Sequence, residues 1–339
     1  MGMMVDGVWR DDWYDTRVSG GAFVRPETAF RARVAADGST DFHAAAGRYH
    51  LYVAFACPWA HRTLVVRALK GLEDALPMSA VDPDNVEQGW AFTGAGGTTL
   101  DRANGCRFLH EVYKLSRSNY TGRVTVPVLW DTKTRTIVNN ESAEIIRMLN
   151  WEFDAFATHA FPDLYPTELR AEIDDVNDRV YRTVNNGVYR SGFATAQDKY
   201  DQAVTALFES LDWLEDRLAT RRWLCGNRFT EADVRLWTTL VRFDAVYYGH
   251  FKCNLRRLAD YPALWGYTRD VYALPGVAAT VDLAQIKRHY YGSQIKVNPT
   301  RIVPKGPLVD LAAPHDRAPL GPAPVARARS SSTSVPPNR

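Results

Sequence analysis

Hydrophobic and polar positions follow first the period of a strand and then the period of a helix. Residues 49–55 alternate and are rich in side chains that favour strands. Residues 58–70 carry apolar side chains at helical spacing. Pro58 suits the first helical position, where its missing N–H needs no partner, and Gly71 suits the position just past the helix. The pattern therefore places Cys57 at a strand-to-helix junction, at or beside the helix N-cap.

A second group of elements follows a polar, glycine-rich stretch. We expect residues 84–122 to form an insertion or long loop, because they show little apolar periodicity. Residues 123–131 predict a strand interrupted by Pro127, residues 136–138 its hairpin partner, and residues 140–149 a helix. The order strand–helix, long connection, strand–strand–helix is the thioredoxin pattern.

From about residue 165 the period is helical throughout. Three segments carry apolar residues at three- and four-residue spacing: 167–184, 196–219 and 231–243. The third begins with a capping box from Thr230 to Asp233, and Phe229 and Val234 are placed for a hydrophobic staple. The sequence thus predicts an α/β thioredoxin-like N-terminal domain plus an all-α C-terminal domain.

The predicted organisation has four parts. They are an irregular N-terminal arm (1–45), the thioredoxin-like domain (46–155), the helical domain (165–300), and a C-terminal coil with a disordered tail (301–339). The tail is rich in Pro, Ala, Arg and Ser, and such a composition buries too little apolar surface to fold. Removing residues 310–339 is therefore expected to leave fold, assembly and rate unchanged.

Composition and charge narrow the class of protein. The 339 residues are 46% hydrophobic and 24% charged, which are ordinary globular values. Because 41 basic and 39 acidic side chains leave a net charge of +2, nothing favours nucleic acid or an acidic membrane surface as a partner. No apolar stretch approaches the roughly 18 residues that span a bilayer, and the N-terminus does not resemble a signal peptide. We expect a cytoplasmic protein.

The cysteines carry the first candidate chemistry. Four are scattered without a C-x-x-C pair or zinc spacing: Cys57, Cys106, Cys225 and Cys253. We expect free thiols and no metal. Cys57 alone lies at a helix N-terminus, where N–H groups and the helix dipole favour the thiolate, and His61 and Arg62 add positive charge. Its pKa is expected below the unperturbed value of about 8.5, although a buried structural cysteine is the alternative.

Other residues could complete a site around this thiol. Pro127 interrupts a strand, which suggests either a cis peptide after Val126 or an ordinary trans proline at a strand start. Glu141 and Ser142 open a helix, where they could bind an ammonium and a carboxylate or serve as a plain cap. Three tyrosines also stand out, although each could equally be core or surface: Tyr189, Tyr247 and Tyr290.

Taken together, these segments resemble the glutathionyl-hydroquinone reductases, the xi class of glutathione transferases, from about residue 5 to residue 307. The most specific stretches are Ala-Cys-Pro-Trp-Ala-His-Arg at 56–62, Val-Pro-Val-Leu-Trp-Asp at 126–131, Asn-Glu-Ser at 140–142, Asn-Asn-Gly-Val-Tyr at 185–189, Leu-Trp-Thr-Thr-Leu-Val-Arg-Phe-Asp at 236–244, His-Phe-Lys-Cys at 250–253 and Asn-Pro-Thr at 298–300. The resemblance implies a homodimer that uses glutathione as co-substrate and reduces glutathionyl-hydroquinones.

The resemblance also implies a role for each site residue. Cys57 would attack the sulfur of the substrate and form a mixed disulfide with glutathione, which a second glutathione resolves. Tyr189 matches the tyrosine that exchanges a proton with the substrate, and Tyr247 and Tyr290 match two that line the quinol site. Seven positions match those that bind glutathione: Trp90, Arg123, Val124, Thr125, Val126, Glu141 and Ser142.

Two other functions compete with the reductase. A conjugating glutathione transferase would use a serine or tyrosine to activate glutathione, whereas a cysteine at position 57 forms a mixed disulfide. A non-enzymatic binding module on the same fold would not need Cys57, Pro127 and the Glu141–Ser142 pair. A single glutathione adduct on Cys57 after mixing with oxidised glutathione would support the reductase alone.

Overall fold

The computed structural model describes residues 2–325 and the backbone of residues 327–328. A four-stranded mixed sheet lies at the centre of the first half, in the order β4-β3-β6-β7. Its strands are β3 (Tyr49–Val53), β4 (Met78–Ala80), β6 (Val128–Asp131) and β7 (Thr136–Asn139). Strand β3 pairs parallel with β4 and antiparallel with β6, and all five of its residues are buried. Both faces of this central strand are therefore covered, as in other sheets packed between layers.

Helix α1 (Pro58–Lys70) follows β3 and has the predicted ends. Cys57 is the N-cap with an extended backbone, Pro58 occupies the first helical position, and Gly71 ends the helix in the left-handed conformation with φ of 62°. Glycine adopts this conformation without the steric penalty that a Cβ atom would bring. Both ends of the helix that carries the candidate thiol are thus fixed by local sequence.

The long connection is more regular than the sequence indicates. Helix α2 (Leu109–Ser116) lies within residues 84–122, which were predicted to form a loop, and it packs against β7. Its apolar side chains at Leu109, Val112 and Tyr113 are buried at helical spacing, but two turns give too short a pattern to stand out. The side chain of Glu111 accepts hydrogen bonds from the backbone N–H groups of Arg107 and Phe108 and fixes the start of the helix.

The second half is helical, as predicted. After α3 (Ser142–Trp151), its helices are α4 (Arg170–Val180), α5 (Gly187–Gly192), α6 (Gln197–Ala219), α7 (Glu231–Leu240), α8 (Tyr248–His250), α9 (Pro262–Tyr272) and α10 (Leu283–Ser293). Two π-helical segments interrupt this series, at Tyr181–Asn185 and Phe243–Tyr247. The capping box at the start of α7 is confirmed, since the N–H of Thr230 donates to the carboxylate of Asp233 over 2.8 Å.

The N-terminal arm begins as part of a sheet. Strands β1 (Met3–Val5) and β2 (Val8–Arg10) form an antiparallel sheet with β5 (Gly122–Arg123), in the order β2-β1-β5. The prediction of an irregular arm is wrong for residues 3–10, because strands of three residues are too short to show a period. Pairing with β5 joins the arm to the segment that precedes Pro127.

The prediction of a disordered tail is wrong for residues 310–325. The side chain of Arg317 is 2% exposed and donates to the carbonyl oxygens of Leu218 and Arg222, over 2.9 and 3.1 Å, and to that of Arg221. These carbonyls lie at the C-terminal end of α6, where backbone acceptors have no intrahelical partner and a cation is favoured. Composition counts apolar area and so misses an ordering contact of this kind.

Two further contacts hold the same segment. Arg222 pairs with Asp270 in a buried salt bridge and donates to the carbonyl oxygen of Gly321 over 2.6 Å. The indole N–H of Trp223 donates to the carbonyl oxygen of Pro322 over 3.0 Å. Beyond them, β9 (Arg327–Ala328) pairs antiparallel with β8 (His159–Ala160). Residues 329–339 of the predicted tail lie outside the described residues.

Substitution of Arg317 by alanine is expected to destabilise the protein by about 2 kcal/mol, because it leaves buried carbonyl oxygens without donors. The midpoint of thermal unfolding, followed by circular dichroism, should fall by a few degrees, and deletion of residues 310–339 should lower it further. The exposed Arg102→Ala is the matched control and should leave the midpoint in place. An unchanged midpoint in both tail variants would restore the view that the tail contributes nothing.

Candidate active site

One cavity brings together most of the predicted site residues. Its wall includes Cys57, Trp90, Arg123, Val124, Thr125, Val126, Glu141, Ser142, Tyr189 and Tyr290. These residues come from both halves of the chain, so the cavity lies where the thioredoxin-like and helical parts meet. Tyr247 is fully buried and is not among the lining residues, but it contacts Tyr290 behind the wall.

The backbone around Cys57 is held from both halves. Its Sγ atom lies 3.6 Å from the carbonyl oxygen of Val126, and the Val126–Pro127 peptide is cis, which confirms the first of the two alternatives for this proline. Arg242, in the helical half, donates to the carbonyl oxygens of Phe55 and Ala56 over 2.8 and 3.0 Å. The segment before the thiol is therefore fixed by an arginine that the sequence pattern did not indicate.

Burial raises the pKa of the Cys57 thiol. The N–H groups of Ala60 and Trp59 and the charges of Arg242 and Arg25 lower this pKa, but they do not outweigh the loss of solvation. The prediction of a lowered thiol pKa is therefore wrong for this structure. Position at a helix N-terminus can be inferred from sequence, whereas the depth of the sulfur in the protein cannot.

The two basic residues after Cys57 are bonded to other partners, and neither is among the charges that lower the thiol pKa. His61 is bonded to Thr280 and Arg242, and burial together with the Arg242 charge holds the pKa of its imidazole well below the usual range. Arg62 donates to Ser142 Oγ over 3.2 Å and to Asn185 Oδ1 over 2.7 Å, and burial lowers the pKa of its guanidinium to about 9. The positive charges that act on the thiol come instead from Arg242 and Arg25.

The three tyrosines form one hydrogen-bonded chain. The hydroxyl oxygens of Tyr189 and Tyr290 are 2.6 Å apart, and those of Tyr290 and Tyr247 are 3.1 Å apart. Burial raises the pKa of all three phenols, to about 12 for Tyr247. Each phenol therefore keeps its proton at neutral pH. Two of the three protons are used in the two hydrogen bonds of the chain, and Tyr189 and Tyr290 both line the cavity.

Glu141 and Ser142 lie at the start of α3, where the pair can cap the helix and bind a ligand at the same time. Glu141 is the N-cap and accepts a hydrogen bond from the N–H of Ala143 over 3.1 Å. Its backbone N–H donates to Asn139 Oδ1, while Ser142 Oγ accepts from Arg62. A capping carboxylate with a second oxygen facing the cavity can still pair with a ligand ammonium.

Trp90 and Arg123 are already engaged by other side chains and carbonyls. The ring of Trp90 stacks on His289 with centroids 4.8 Å apart. The guanidinium of Arg123 lies over the ring of Tyr14 and donates to the carbonyl oxygens of Trp13, over 3.0 Å, and of Asp12. Arg123 thus holds the N-terminal arm against the cavity.

Sequence reasoning missed the contribution of that arm to the cavity wall. Trp9, Tyr14, Phe23 and Arg25 line the cavity together with the predicted residues. Their only signal in the sequence is a density of aromatic residues and arginines in a stretch without a period. Such a density indicates that the arm packs against another part of the protein, but it does not identify that part.

The described residues contain neither a metal-binding cluster nor a membrane-spanning helix. Within residues 2–325 no group of three or more His, Cys, Asp or Glu side chains is placed to hold a metal ion, and all four cysteines are free. No helix in the described part of the chain is both long and apolar enough to cross a membrane.

The chain is similar to known proteins over nearly its whole length. Residues 56–151 match the N-terminal domain family of glutathione S-transferases, and residues 197–270 match the C-terminal domain family. The chain is 54% identical to the glutathionyl-hydroquinone reductase PcpF of Sphingobium chlorophenolicum, over 92% of this chain and 98% of that protein. It is 52% identical to the glutathionyl-hydroquinone reductase YqjG of Escherichia coli, over 94% and 98%.

Solved structures agree with the sequence comparison. The xi-class glutathione transferase of Natrialba magadii superposes with a TM-score of 0.89 at 50% identity, over 95% of this chain and 98% of that one. The glutathione-bound structure of YqjG superposes with a TM-score of 0.85 at 50% identity, over 93% and 99%.

Proposed function

Because the chain belongs to the glutathionyl-hydroquinone reductases, the xi class of glutathione transferases, we propose that it uses glutathione to reduce glutathionyl-hydroquinones to hydroquinones. The observation that carries this proposal is the single thiol at the cavity. Cys57 is the one cysteine among the described lining residues, and it shares the cavity with the phenols of Tyr189 and Tyr290. A lone thiol needs an external thiol to complete a redox cycle, and glutathione supplies it.

The first step requires the thiolate of Cys57, which burial disfavours and which the charges of Arg242 and Arg25 stabilise. This thiolate attacks the sulfur that joins glutathione to the ring. A sulfur–sulfur bond forms as the carbon–sulfur bond breaks, and the electron pair of the broken bond stays on the ring carbon. That carbon takes a proton, for which the neutral phenol of Tyr189 is the proposed donor. The hydroquinone leaves, and Cys57 remains in a mixed disulfide with glutathione.

In the second step a second glutathione gives its thiol proton back to the Tyr189 phenolate, and its thiolate attacks the glutathione sulfur of the mixed disulfide. Oxidised glutathione leaves, and Cys57 is released as the thiolate. Over the cycle one carbon–sulfur bond is replaced by a carbon–hydrogen bond while two glutathione thiols become one disulfide, so two electrons are transferred. No second protein cysteine is required.

We propose that glutathione lies along the wall from Trp90 through residues 123–126 to Glu141 and Ser142. Val126 lines the cavity beside Cys57, where its backbone can pair with the extended peptide of glutathione. Glu141 and Ser142 at the start of α3 would hold the ammonium and carboxylate of the γ-glutamyl end. The guanidinium of Arg62 donates a hydrogen bond to Ser142 Oγ and so holds this side chain in place.

Glu141→Ala and Ser142→Ala are expected to raise the glutathione concentration that gives half-maximal rate by about tenfold to a hundredfold, with little change in the maximal rate. They would remove charged hydrogen bonds to a remote part of the substrate that are alike in the ground and transition states. Steady-state kinetics with varied glutathione measures both constants.

Glu141→Gln separates binding from helix capping. A glutamine oxygen still accepts from the N–H of Ala143 but cannot pair with an ammonium. It should therefore weaken glutathione binding while keeping the stability of the parent protein. A change confined to the maximal rate in these variants would mean that the pair acts on chemistry or on folding.

Product analysis tests the function itself. Incubation with a glutathionyl-hydroquinone and excess glutathione should give one hydroquinone and one oxidised glutathione for each substrate consumed. A protein that only conjugates glutathione to electrophiles, and releases no hydroquinone, would contradict the proposed reaction.

We also propose, from family membership, that the protein is a homodimer in the cytoplasm. Light scattering on the purified protein measures its assembly.

A further inference from the structure

Arg25 is a cation of the cavity wall to which the proposed reaction gives no contact with the substrate. It comes from the N-terminal arm and lines the cavity with Cys57. Its guanidinium carbon lies 4.6 Å from the ring centroid of Trp59 and 4.8 Å from that of Tyr189. Its Nε atom donates to Asn186 Oδ1 over 2.7 Å. The plane of the guanidinium is therefore fixed from three sides beside the proposed proton donor.

One donor of this arginine has no partner. The Nη2 atom of Arg25 is buried, and no described residue accepts a hydrogen bond from it. A buried donor on a charged group is costly when unpaired, which makes such an atom a candidate for ligand binding. Its position beside Tyr189 places the missing acceptor at the quinol rather than at the far end of the cavity.

The other basic residues of the wall cannot take this role. Three described basic side chains line the cavity: Arg25, Arg123 and His289. Arg123 is engaged by the carbonyl oxygens of Asp12 and Trp13. His289 is bonded to the carbonyl oxygen of Pro83, and burial lowers the pKa of its imidazole to about 4, so that it is neutral. Of these three residues, Arg25 is the one that is charged and has an unpaired donor, the Nη2 atom.

We propose that Arg25 binds a negatively charged oxygen of the quinol and so makes the enzyme prefer glutathionyl-hydroquinones that are ionised at neutral pH. This inference rests on the proposed function and names the substrate class for it. Such substrates carry electron-withdrawing substituents, for example halogens, that acidify the ring hydroxyls. The phenols of Tyr189 and Tyr290 are bonded to each other and are neutral, whereas Arg25 can give this oxygen a charged hydrogen bond.

The test compares two substrates at one pH. The kcat/KM of wild type and Arg25→Gln is measured with a glutathionyl-hydroquinone that bears three chlorines and is ionised at neutral pH, and with a methyl-substituted one, which is neutral. We expect a loss of about tenfold to a hundredfold for the chlorinated substrate and less than about threefold for the methyl-substituted one. Because both substrates react with the same thiol, their ratio cancels any effect of Arg25 on Cys57.

Two further variants serve as controls for this result. Arg25→Lys keeps the charge and should recover most of the preference for the chlorinated substrate, which a packing role would not predict. Arg190→Gln removes an exposed arginine next to Tyr189 and should keep the wild-type ratio. Equal losses on both substrates in Arg25→Gln would overturn the proposal.

Inhibitors provide a measurement that does not depend on turnover or on the variant. A chlorinated phenol, ionised at neutral pH, should inhibit wild type at least tenfold more strongly than its methyl ether, which cannot ionise. Equal inhibition by the two would overturn the proposal. If wild type consumes neither hydroquinone, the proposed function fails, and this inhibitor pair still tests Arg25.

A carboxylate of glutathione is the other anion that the cavity could receive. If Arg25 bound that group, Arg25→Gln would slow formation of the Cys57–glutathione disulfide from oxidised glutathione as much as it slows turnover of the chlorinated substrate. That outcome would also overturn the proposal.

Discussion

Replacing Cys57 with alanine is expected to abolish the release of hydroquinone from glutathionyl-hydroquinones. The substitution removes the atom that forms the mixed disulfide, and no other described thiol lines the cavity. Turnover of a glutathionyl-hydroquinone and the intact mass of the protein after mixing with oxidised glutathione give two independent readouts. Wild type should gain one glutathionyl group, and Cys57→Ala should gain none.

Cys106→Ala is the matched control, because Cys106 is also partly exposed but does not line the cavity. It should keep both activity and the single adduct. Cys57→Ser should lose the reductase reaction and could gain weak conjugation, since a hydroxyl can activate glutathione but cannot form a disulfide. Full reductase activity in Cys57→Ala would remove the proposed nucleophile, and loss in Cys106→Ala would place it elsewhere.

Tyr189→Phe is expected to lower turnover of glutathionyl-hydroquinones by about 10²–10⁴-fold, the usual contribution of a general acid. Phenylalanine keeps the ring under Arg25 and against Phe193, but it removes the proton that the ring carbon would receive. Formation of the Cys57–glutathione disulfide from oxidised glutathione should stay nearly intact, because that reaction protonates no carbon. Rapid-mixing kinetics of each half-reaction measures the two effects separately.

The neighbouring tyrosines provide the comparison. Tyr247→Phe and Tyr290→Phe should each do less, and Tyr247→Phe least, since its hydroxyl reaches the cavity only through Tyr290. Tyr272→Phe, outside the cavity, should have no effect. If Tyr189→Phe is tolerated in both half-reactions, its role is packing, and if both fall equally, the thiol site itself has been damaged.

Local sequence was sufficient for much of the fold and for the position of the thiol. The N-cap at Cys57, the left-handed Gly71 and the capping box at Thr230 each depend on a few adjacent residues, and all three are confirmed. Residues 56–62 and 126–131 also carry family motifs, so their association at one cavity followed from the resemblance. Short elements such as α2 and β1 were missed, because two turns or three residues show no period.

Properties that depend on distant parts of the chain could not be predicted. The raised pKa of the Cys57 thiol follows from burial between the two halves, and the sequence around it indicates only the helix end. Arg25 and Arg242 come from segments far from residue 57 and act on it only in the folded chain. Arg317 was assigned to a disordered tail, because its partners are backbone carbonyls that no composition reveals.

The pairing of β8 with β9 has a consequence for how the chain reaches this fold. Strand β8 follows the thioredoxin-like half directly, whereas β9 is the last described element, after all of the helices. During synthesis β8 therefore has no strand partner until the helical half and β9 have left the ribosome. Pairings between such distant segments form late. Because this pairing is only two residues long, the edge of β8 offers little to another chain in the meantime, and β9 adds to the fold after the helical half has formed.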